Sequence, residues 1–415
     1  MLMASAKTTQ KLSAFLVPAV KEDYMLTSIA IILLLGLLVG WLFSRLKLPS
    51  LLGMIMIGIV LSPHCLNMID ESILAISGDL RQIALVIILT RAGLSLNLSD
   101  LKKVGRPAVL MCFVPACIEM LGTIIFGPML LGISILDAAI VGSVIAAVSP
   151  AVIVPRMIKL MDEGYGNRKS IPQLILAGAS VDDVFVIVIF TALTTLASTG
   201  EISKMSILQI PVSIGLGVLF GYVIGILLIW FFKRCHIRDS VKVLIILSVS
   251  FLLLEVQNKL AGIIPISGLL AIMSMGIIIN QKYDVLAKRL SVKYNKLWLG
   301  AEIFLFVLVG IAVDLQYALS AGFTVVLLVV LSLLFRMLGV ALSLVKTGLN
   351  KRERLFCAIA YTPKATVQAA IGTLPMVMGL ECGEIALTMA VISILLTAPF
   401  GAVCVDNLYK KLLSK

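Results

Sequence analysis

Two adjacent acidic residues, Asp182 and Asp183, interrupt an otherwise apolar stretch, ILAGASVDDVFVIVIFTAL, at residues 175–193. An apolar run of this length is typical of a membrane-spanning helix, so both carboxylates are expected near the middle of the bilayer. An ionised carboxylate there costs about 2.5–3.5 kcal/mol on insertion scales, and two neighbours also repel each other. Because carboxylates bind small hard cations and protons, the pair predicts a proton and cation site. The alternative is a purely structural pair that neutralises bases on other helices.

The composition is that of an all-α polytopic membrane protein. Of the 415 residues, 60% are hydrophobic and 13% charged, and the mean hydropathy is +1.12. The net charge of +12 is spread over short loops, which argues against a nucleic-acid partner. The seven cysteines, His64 and His236 show no metal-ligand spacing, so we expect no cofactor.

Apolar runs separated by Gly, Pro or charge clusters predict thirteen transmembrane helices after an N-terminal tail at residues 1–24. Their approximate spans are 25–44, 50–62, 79–96, 106–131, 136–160, 171–198, 205–232, 239–258, 263–280, 297–313, 318–345, 353–378 and 384–409. Together they form one transmembrane unit, residues 25–409, embedded in a lipid bilayer.

The basic residues predict the orientation of these helices. Counted along the sequence, 25 Lys and Arg residues lie in or beside the loops after odd-numbered helices, and 2 lie after even-numbered ones. Cytoplasmic loops carry such an excess of Lys and Arg. The chain is therefore expected to be a multi-pass protein of the cell membrane with its N-terminus outside and its C-terminus in the cytoplasm.

Several local patterns recur about 213–217 residues apart, which predicts an internal repeat. The matching positions are Pro49 and Pro265, Gly93 and Gly310, Glu119 and Arg336, and Ser149 and Thr362. The offset equals seven helices, an odd number, so the two copies are expected to cross the membrane in opposite directions. This predicts two inverted six-helix repeats, about 25–198 and 239–409, joined by a linker helix at 205–232, a design typical of secondary transporters.

Prolines interrupt the fifth and twelfth predicted helices at equivalent places, at Pro150 and Pro363. A proline removes a backbone donor and frees a carbonyl, which must find another partner in hydrocarbon. Either proline alone could be a simple kink, but the pair predicts crossed, discontinuous helices whose ends face an ion site. Ser149 and Thr362, beside the breaks, are candidate oxygen ligands or helix caps.

Three further charges fall within predicted helices: Glu119, Arg336 and Lys364. With the two aspartates, three acids and two bases give a net charge of −1. One proton or one monovalent cation would neutralise the set. Competition of two cations for one such site is the electrostatic condition for antiport.

The motifs ASVDD, the FR pair at 335–336 and YTPKATVQAAIG at 361–372 resemble sodium/proton antiporters of the cation/proton antiporter superfamily, particularly the NHA branch. The resemblance implies a homodimer in which a core domain, approximately helices 3–6 and 10–13, moves like an elevator against a dimerisation domain. It also implies that Asp183 binds the transported cation or proton, that Asp182 pairs with a base, and that Glu119 and Lys364 form a second couple. Arg336 stands where electrogenic relatives carry a lysine.

This arginine bears on the stoichiometry, because a lysine can release its proton during the cycle and an arginine cannot. If Arg336 is the partner of Asp182, exchange of Na+ or Li+ for H+ should be 1:1 and electroneutral; if Lys364 takes that role, 2:1 exchange stays open. The sequence leaves the preference among Na+, Li+ and K+ open.

Three other functions compete with cation/proton exchange. A sodium-coupled carrier of an organic anion would use a related fold, although the acidic pair disfavours an anionic substrate. An intramembrane aspartyl protease needs its two aspartates on separate helices facing one water, whereas neighbours on one helix point about 100° apart. A channel would need a filter loop or a hydrophilic pore stripe. A transporter, not an enzyme, is therefore expected.

Overall fold

The computed structural model describes residues 24–96, 105–198, 204–235, 237–260, 266–314 and 322–415, and these form helices without any strand. The first half contains α1 (Met25–Arg45), α2 (Ser50–Leu61), α3 (Glu71–Ser95), α4 (Arg106–Met111), α5 (Val114–Leu131), α6 (Ile135–Ile145), α7 (Pro150–Glu163) and α8 (Ile171–Ser198). A 3-10 turn, Asn167–Lys169, precedes α8.

The second half contains α9 (Lys204–Arg234), α10 (Asp239–Leu260), α11 (Gly268–Lys282), α12 (Asp284–Ile311), α13 (Gly322–Ser343), α14 (Lys351–Ala360), α15 (Thr366–Ile371), α16 (Leu374–Val377) and α17 (Gly383–Leu412). Each predicted span overlaps one or more of these helices.

Among the described residues, nine helical stretches are long and apolar enough to cross a membrane. Three shorter apolar helices, Ser50–Leu61, Gly268–Lys282 and Thr366–Val377, add to them. The all-helical class with many candidate spans agrees with the expectation, while the exact number of thirteen crossings stays a prediction.

The largest difference from the predicted spans is at α12, which begins at Asp284 instead of near residue 297. Lysines at 288, 293 and 296 favoured a loop in the sequence. In the structure they share the helix with Leu286, Leu290 and Tyr294, which are fully buried and recur every four residues. The stretch is thus an amphipathic first half of the helix, with an apolar stripe facing the protein.

Most of the helix packing lies within two groups. In the first, which we call the panel (α1–α3 and α9–α12), α3 packs on α11 and α12, α2 on α12 and α1, and α9 on α11. In the second, which we call the core (α4–α8 and α13–α17), α5 packs on α13, α6 on α5 and α8, and α14 on α17. Fewer contacts, such as those of α15 with α3 and of α2 with α17, join the two groups.

Glycines allow two close helix crossings inside the panel. A Cβ added at Gly58 would overlap the backbone around Gly310, and one added at Gly93 would overlap the backbone around Gly276. The Gly93–Gly310 offset is 217 residues and the Gly58–Gly276 offset is 218. By this offset, Gly58 of α2 corresponds to Gly276 of α11, and Gly310 of α12 corresponds to Gly93 of α3. The crossing of α2 with α12 is therefore the repeat equivalent of the crossing of α11 with α3. The inverted-repeat architecture itself stays a prediction.

Candidate ion-binding site

Two interrupted helices meet at the centre of the core. Residues 146–149 separate α6 from α7, and residues 361–365 separate α14 from α15. The breaks occur where Pro150 and Pro363 cannot donate backbone hydrogen bonds, and Ser149 is extended (φ −89°, ψ 110°), as a residue before proline prefers. The Ser149 N–H donates to the Pro363 carbonyl at 2.8 Å, so the two breaks hydrogen-bond to each other.

A buried glutamine also connects the breaks. Gln368, at the start of α15, donates from Nε2 to the Ala147 carbonyl at 2.7 Å. Its Oε1 accepts from the Ala365 N–H at 2.8 Å. The side chain therefore satisfies backbone groups freed on both interrupted helices, as a buried break requires.

Arg336 of α13 is fully buried and joins the charged residues to the breaks. Its guanidinium forms ion pairs with Glu119 at 2.8 Å and with Asp182 at 2.9 Å. Nε donates to the Tyr361 carbonyl at 2.6 Å, and Nη1 donates to the Ala146 carbonyl. The guanidinium carbon also lies 5.3 Å from the centre of the Tyr361 ring. Such charged, hydrogen-bonded pairing is what a buried arginine needs.

Lys364 forms an ion pair with Glu119. Its ammonium lies 2.7 Å from Glu119 Oε1 and 2.8 Å from Oε2, and it donates to the Ile145 carbonyl at 2.5 Å. The Lys364 N–H donates at 2.9 Å to the hydroxyl of Thr397 on α17. The partner of Asp182 is thus Arg336, which the sequence could not decide.

Asp182 is held in place on α8. It is fully buried, and its Oδ2 accepts from Nη2 of Arg336 and, at 2.8 Å, from the Val148 N–H in the α6–α7 break. Asp182 therefore contributes to the framework of the core as well as to its charge.

Asp183 faces a different environment. Neighbours on a helix point about 100° apart, and Asp183 lines a cavity of about 20 Å³ between the core and the panel. Apolar side chains of α3, α11 and α15 form most of its wall, among them Ile88, Met273 and Val367. The cavity has room for about one water-sized particle. The Oδ1 atom of Asp183 is buried and, among the described residues, has no hydrogen-bond partner.

The two predicted hydroxyl residues lie on the breaks but differ in their bonding. The Ser149 hydroxyl is buried without a hydrogen-bond partner among the described residues. The Thr362 hydroxyl donates to the Ile359 carbonyl at 2.8 Å, so it caps the end of α14. The structure thus unites Asp182, Arg336, Glu119 and Lys364 in one network, with Asp183 directed elsewhere.

Comparisons with known proteins identify the family. A family model described as "Sodium/hydrogen exchanger, transmembrane" matches residues 29–408. Sodium/hydrogen exchanger 9B2 of Mus musculus is 32% identical over 396 residues, which cover 91% of this chain and 72% of that protein. Sodium/hydrogen exchanger 9B1 of Homo sapiens is 31% identical over 388 residues, which cover 89% and 73%.

Among solved structures, the sodium proton antiporter MjNhaP1 from Methanocaldococcus jannaschii at pH 8 superposes with a TM-score of 0.81 at 23% identity, covering 94% of this chain and 99% of that one. At this identity the likeness concerns the fold. This fold and the apolar helices are those of a multi-pass membrane protein. By the family model and the sequence relatives, this chain belongs to the sodium/hydrogen exchanger family of the cation/proton antiporter superfamily.

Proposed function

We propose that this protein exchanges Na+ or Li+ for H+ across the cell membrane, with Asp183 as the group that carries either ion. The observation that supports this most is the contrast between the acidic residues. Asp182 and Glu119 are ion-paired to buried bases, whereas Oδ1 of Asp183 lies unpaired at a cavity. A carboxylate without a base in an apolar cavity is costly when ionised, so it favours a bound proton or cation.

Na+ would be held by several oxygen atoms, as hard cations require. Asp183 supplies a carboxylate oxygen, and Asp182 lies next to it in the chain with its Oδ1 free of hydrogen bonds among the described residues. The unpartnered hydroxyl of Ser149 is a third candidate, whereas the hydroxyl of Thr362 is a weaker one because it caps α14.

The pairing of Arg336 with Asp182 supports a 1:1 electroneutral cycle. Arginine stays protonated in proteins, so this base cannot release a proton when Na+ arrives. Lys364 lies within 2.8 Å of both oxygens of Glu119, so under this proposal it stays charged as the counter-ion of Glu119. Under this proposal only Asp183 changes its bound ion, and one Na+ replaces one proton.

Alternating access would come from sliding the core past the panel. The proposed ion site lies at the boundary between the two, since α8 and α15 of the core and α3 and α11 of the panel line the Asp183 cavity. The panel would form the homodimer contact and remain still. The resemblance implies that the predicted helices 79–96 and 297–313 belong to the core. We place the corresponding helices, α3 and α12, in the panel, because α3 packs on α11 and α12 packs on α2.

The orientation follows from the charge distribution of the loops, which favours an outside N-terminus and a cytoplasmic C-terminus. The aspartyl protease alternative is weakened by the pairing of Asp182 with Arg336, since a protease needs both carboxylates at one water.

Transport by purified protein in liposomes tests the proposal. An imposed pH gradient should drive Na+ uptake, and Asp183→Asn should abolish it because the amide can bind neither ion as a counter-charge. Asp284→Asn, which alters an exposed carboxylate paired with Lys288, is the matched control and should transport normally. Full uptake by the Asp183→Asn protein would refute the assignment.

A further inference from the structure

A basic cleft of about 540 Å³ opens beside the C-terminus of α1. Its wall combines the corner between α1 and α2, from Ser44 to Ser50, with Arg156 and Lys159 of α7 and with Asp406 and Asn407 of α17. The corner belongs to the panel, whereas α7 and α17 belong to the core. One ligand in this cleft would therefore touch both groups of helices.

The charges of the cleft favour an anion. Three cations, Lys47, Arg156 and Lys159, face one carboxylate, Asp406. Asp406 is already compensated by Arg156, whose Nε lies 3.1 Å from Oδ2. The lining residues alone therefore carry a surplus of two positive charges. One of these two, Lys159, also lies 3.9 Å from Glu163, which is outside the lining, whereas Lys47 is left uncompensated within the lining. A cation-conducting vestibule would need the opposite sign, so this cleft does not fit the path of the transported ion.

Lys47 occupies an unusual backbone position in the cleft wall. Its φ is +61°, in the left-handed region where glycine is the favoured residue at a helix C-terminus. The Lys47 N–H donates to the Ser44 carbonyl and the Leu48 N–H to the Phe43 carbonyl, which is the usual pattern of such a helix end. Lys47 thus places a charged side chain at a backbone position where glycine, which has no side chain, is favoured.

Arg156 is oriented by its neighbours. Besides the Asp406 pair, its Nη1 donates to the Val152 carbonyl at 2.8 Å, and its side chain is 17% exposed. Among the described residues Nη2 has no hydrogen-bond acceptor. A preoriented guanidinium with a free donor suits a phosphoryl group, which accepts several hydrogen bonds from Arg and Lys.

We propose that this cleft binds a phosphoryl anion that bridges the panel and the core. A phospholipid headgroup is the source that the surroundings favour, because α1 presents an exposed apolar face with Leu38, Trp41 and Leu42 directly before the corner. Acyl chains could lie on that face while the phosphate enters the cleft. Juxtamembrane basic clusters attract anionic lipids in the same way.

The test measures binding through thermal unfolding of the purified full-length protein in detergent, a readout independent of transport. Added phosphatidic acid should raise the unfolding midpoint above the value reached with phosphatidylcholine of the same chains. Inorganic phosphate is the third arm. A rise with the anionic lipid alone assigns a headgroup, and an equal rise with inorganic phosphate assigns a free phosphate group instead.

Two glycine variants decide whether the cleft is the site. Lys47→Gly removes a cleft charge at a backbone position that glycine adopts readily, so the protein should fold at least as stably and lose the anion-dependent rise. Lys346→Gly is the matched control, because Lys346 has φ +60° but lies outside the cleft. An unchanged rise in Lys47→Gly, an equal loss in Lys346→Gly, or no rise in the unmodified protein with any anion would overturn the proposal.

Discussion

Membrane voltage should not alter the Na+ gradient at which exchange stops. The charges of the site are Asp182, Asp183 and Glu119 against Arg336 and Lys364, a net charge of −1; all but the half-buried Asp183 are fully buried. Under the proposed mechanism, with Arg336 on Asp182 and Lys364 on Glu119, both bases keep their protons and Asp183 alternates between one Na+ and one H+. The loaded core then moves the same net charge in both directions.

An electrogenic cycle predicts instead that membrane voltage strongly changes the equilibrium Na+ ratio. If a base also released its proton, each cycle would move one net charge, worth about 2.3 kcal/mol per 100 mV. Because about 1.4 kcal/mol is a factor of ten, 100 mV would shift the equilibrium Na+ ratio by roughly 50-fold. The two mechanisms are therefore easily separated in proteoliposomes with a fixed pH gradient and a potassium diffusion potential.

The assay locates the external Na+ concentration at which net flux reverses, at 0 and at −100 mV. We expect the same concentration at both voltages. A shift towards 50-fold would refute the reasoning from Arg336, because it would require a second titrating group in the cycle. Arg336→Lys is the informative variant, since a lysine at this position could release a proton and introduce voltage dependence.

Two further expectations concern the framework. Arg336→Gln leaves Asp182 and Glu119 with Lys364 as the one remaining base of their network among the described residues. The free energy of unfolding should therefore fall by about 3–5 kcal/mol. An unchanged unfolding midpoint in detergent would contradict this expectation. Gly58→Ala places a Cβ against the Val307 carbonyl and should cost about 1–3 kcal/mol. Its control is Gly78→Ala, where an added Cβ meets no atom within 4 Å and helix propensity should give a slight gain.

The charged residues of the site were accessible from sequence because lipid makes each of them costly. Asp182, Asp183, Glu119, Arg336 and Lys364 all stood out as charges within apolar spans, and four of them form one network. Which base pairs with which acid was not accessible, because those residues lie on three different helices and in the α14–α15 break. The offset of 217 residues did place Glu119 and Arg336 at equivalent positions, and the structure brings these two into contact.

The uncharged residues of the framework were missed because they lack the charge that makes a residue conspicuous in an apolar span. Gln368 and Thr397 carry no charge, and a threonine can satisfy its own hydroxyl within a helix, as Thr397 does by donating to the Ser393 carbonyl at 2.7 Å. Neither therefore stands out in an apolar segment. The position of Gln368, four residues after Lys364 and next to the break, was the one available signal, because a broken helix needs polar side chains for its freed backbone groups.

The contacts of the two bases, Arg336 and Lys364, are compatible with the proposed role of Asp183 in ion binding. The helices α6 and α14 end at the breaks, and their final carbonyls carry partial negative charge. Lys364 donates to the Ile145 carbonyl, and Arg336 donates to those of Ala146 and Tyr361, so the two bases neutralise both helix ends. Asp182 and Glu119 then compensate the bases. These charges balance one another without Asp183, so under the proposed mechanism its carboxylate exchanges ions without removing a counter-charge that the core needs.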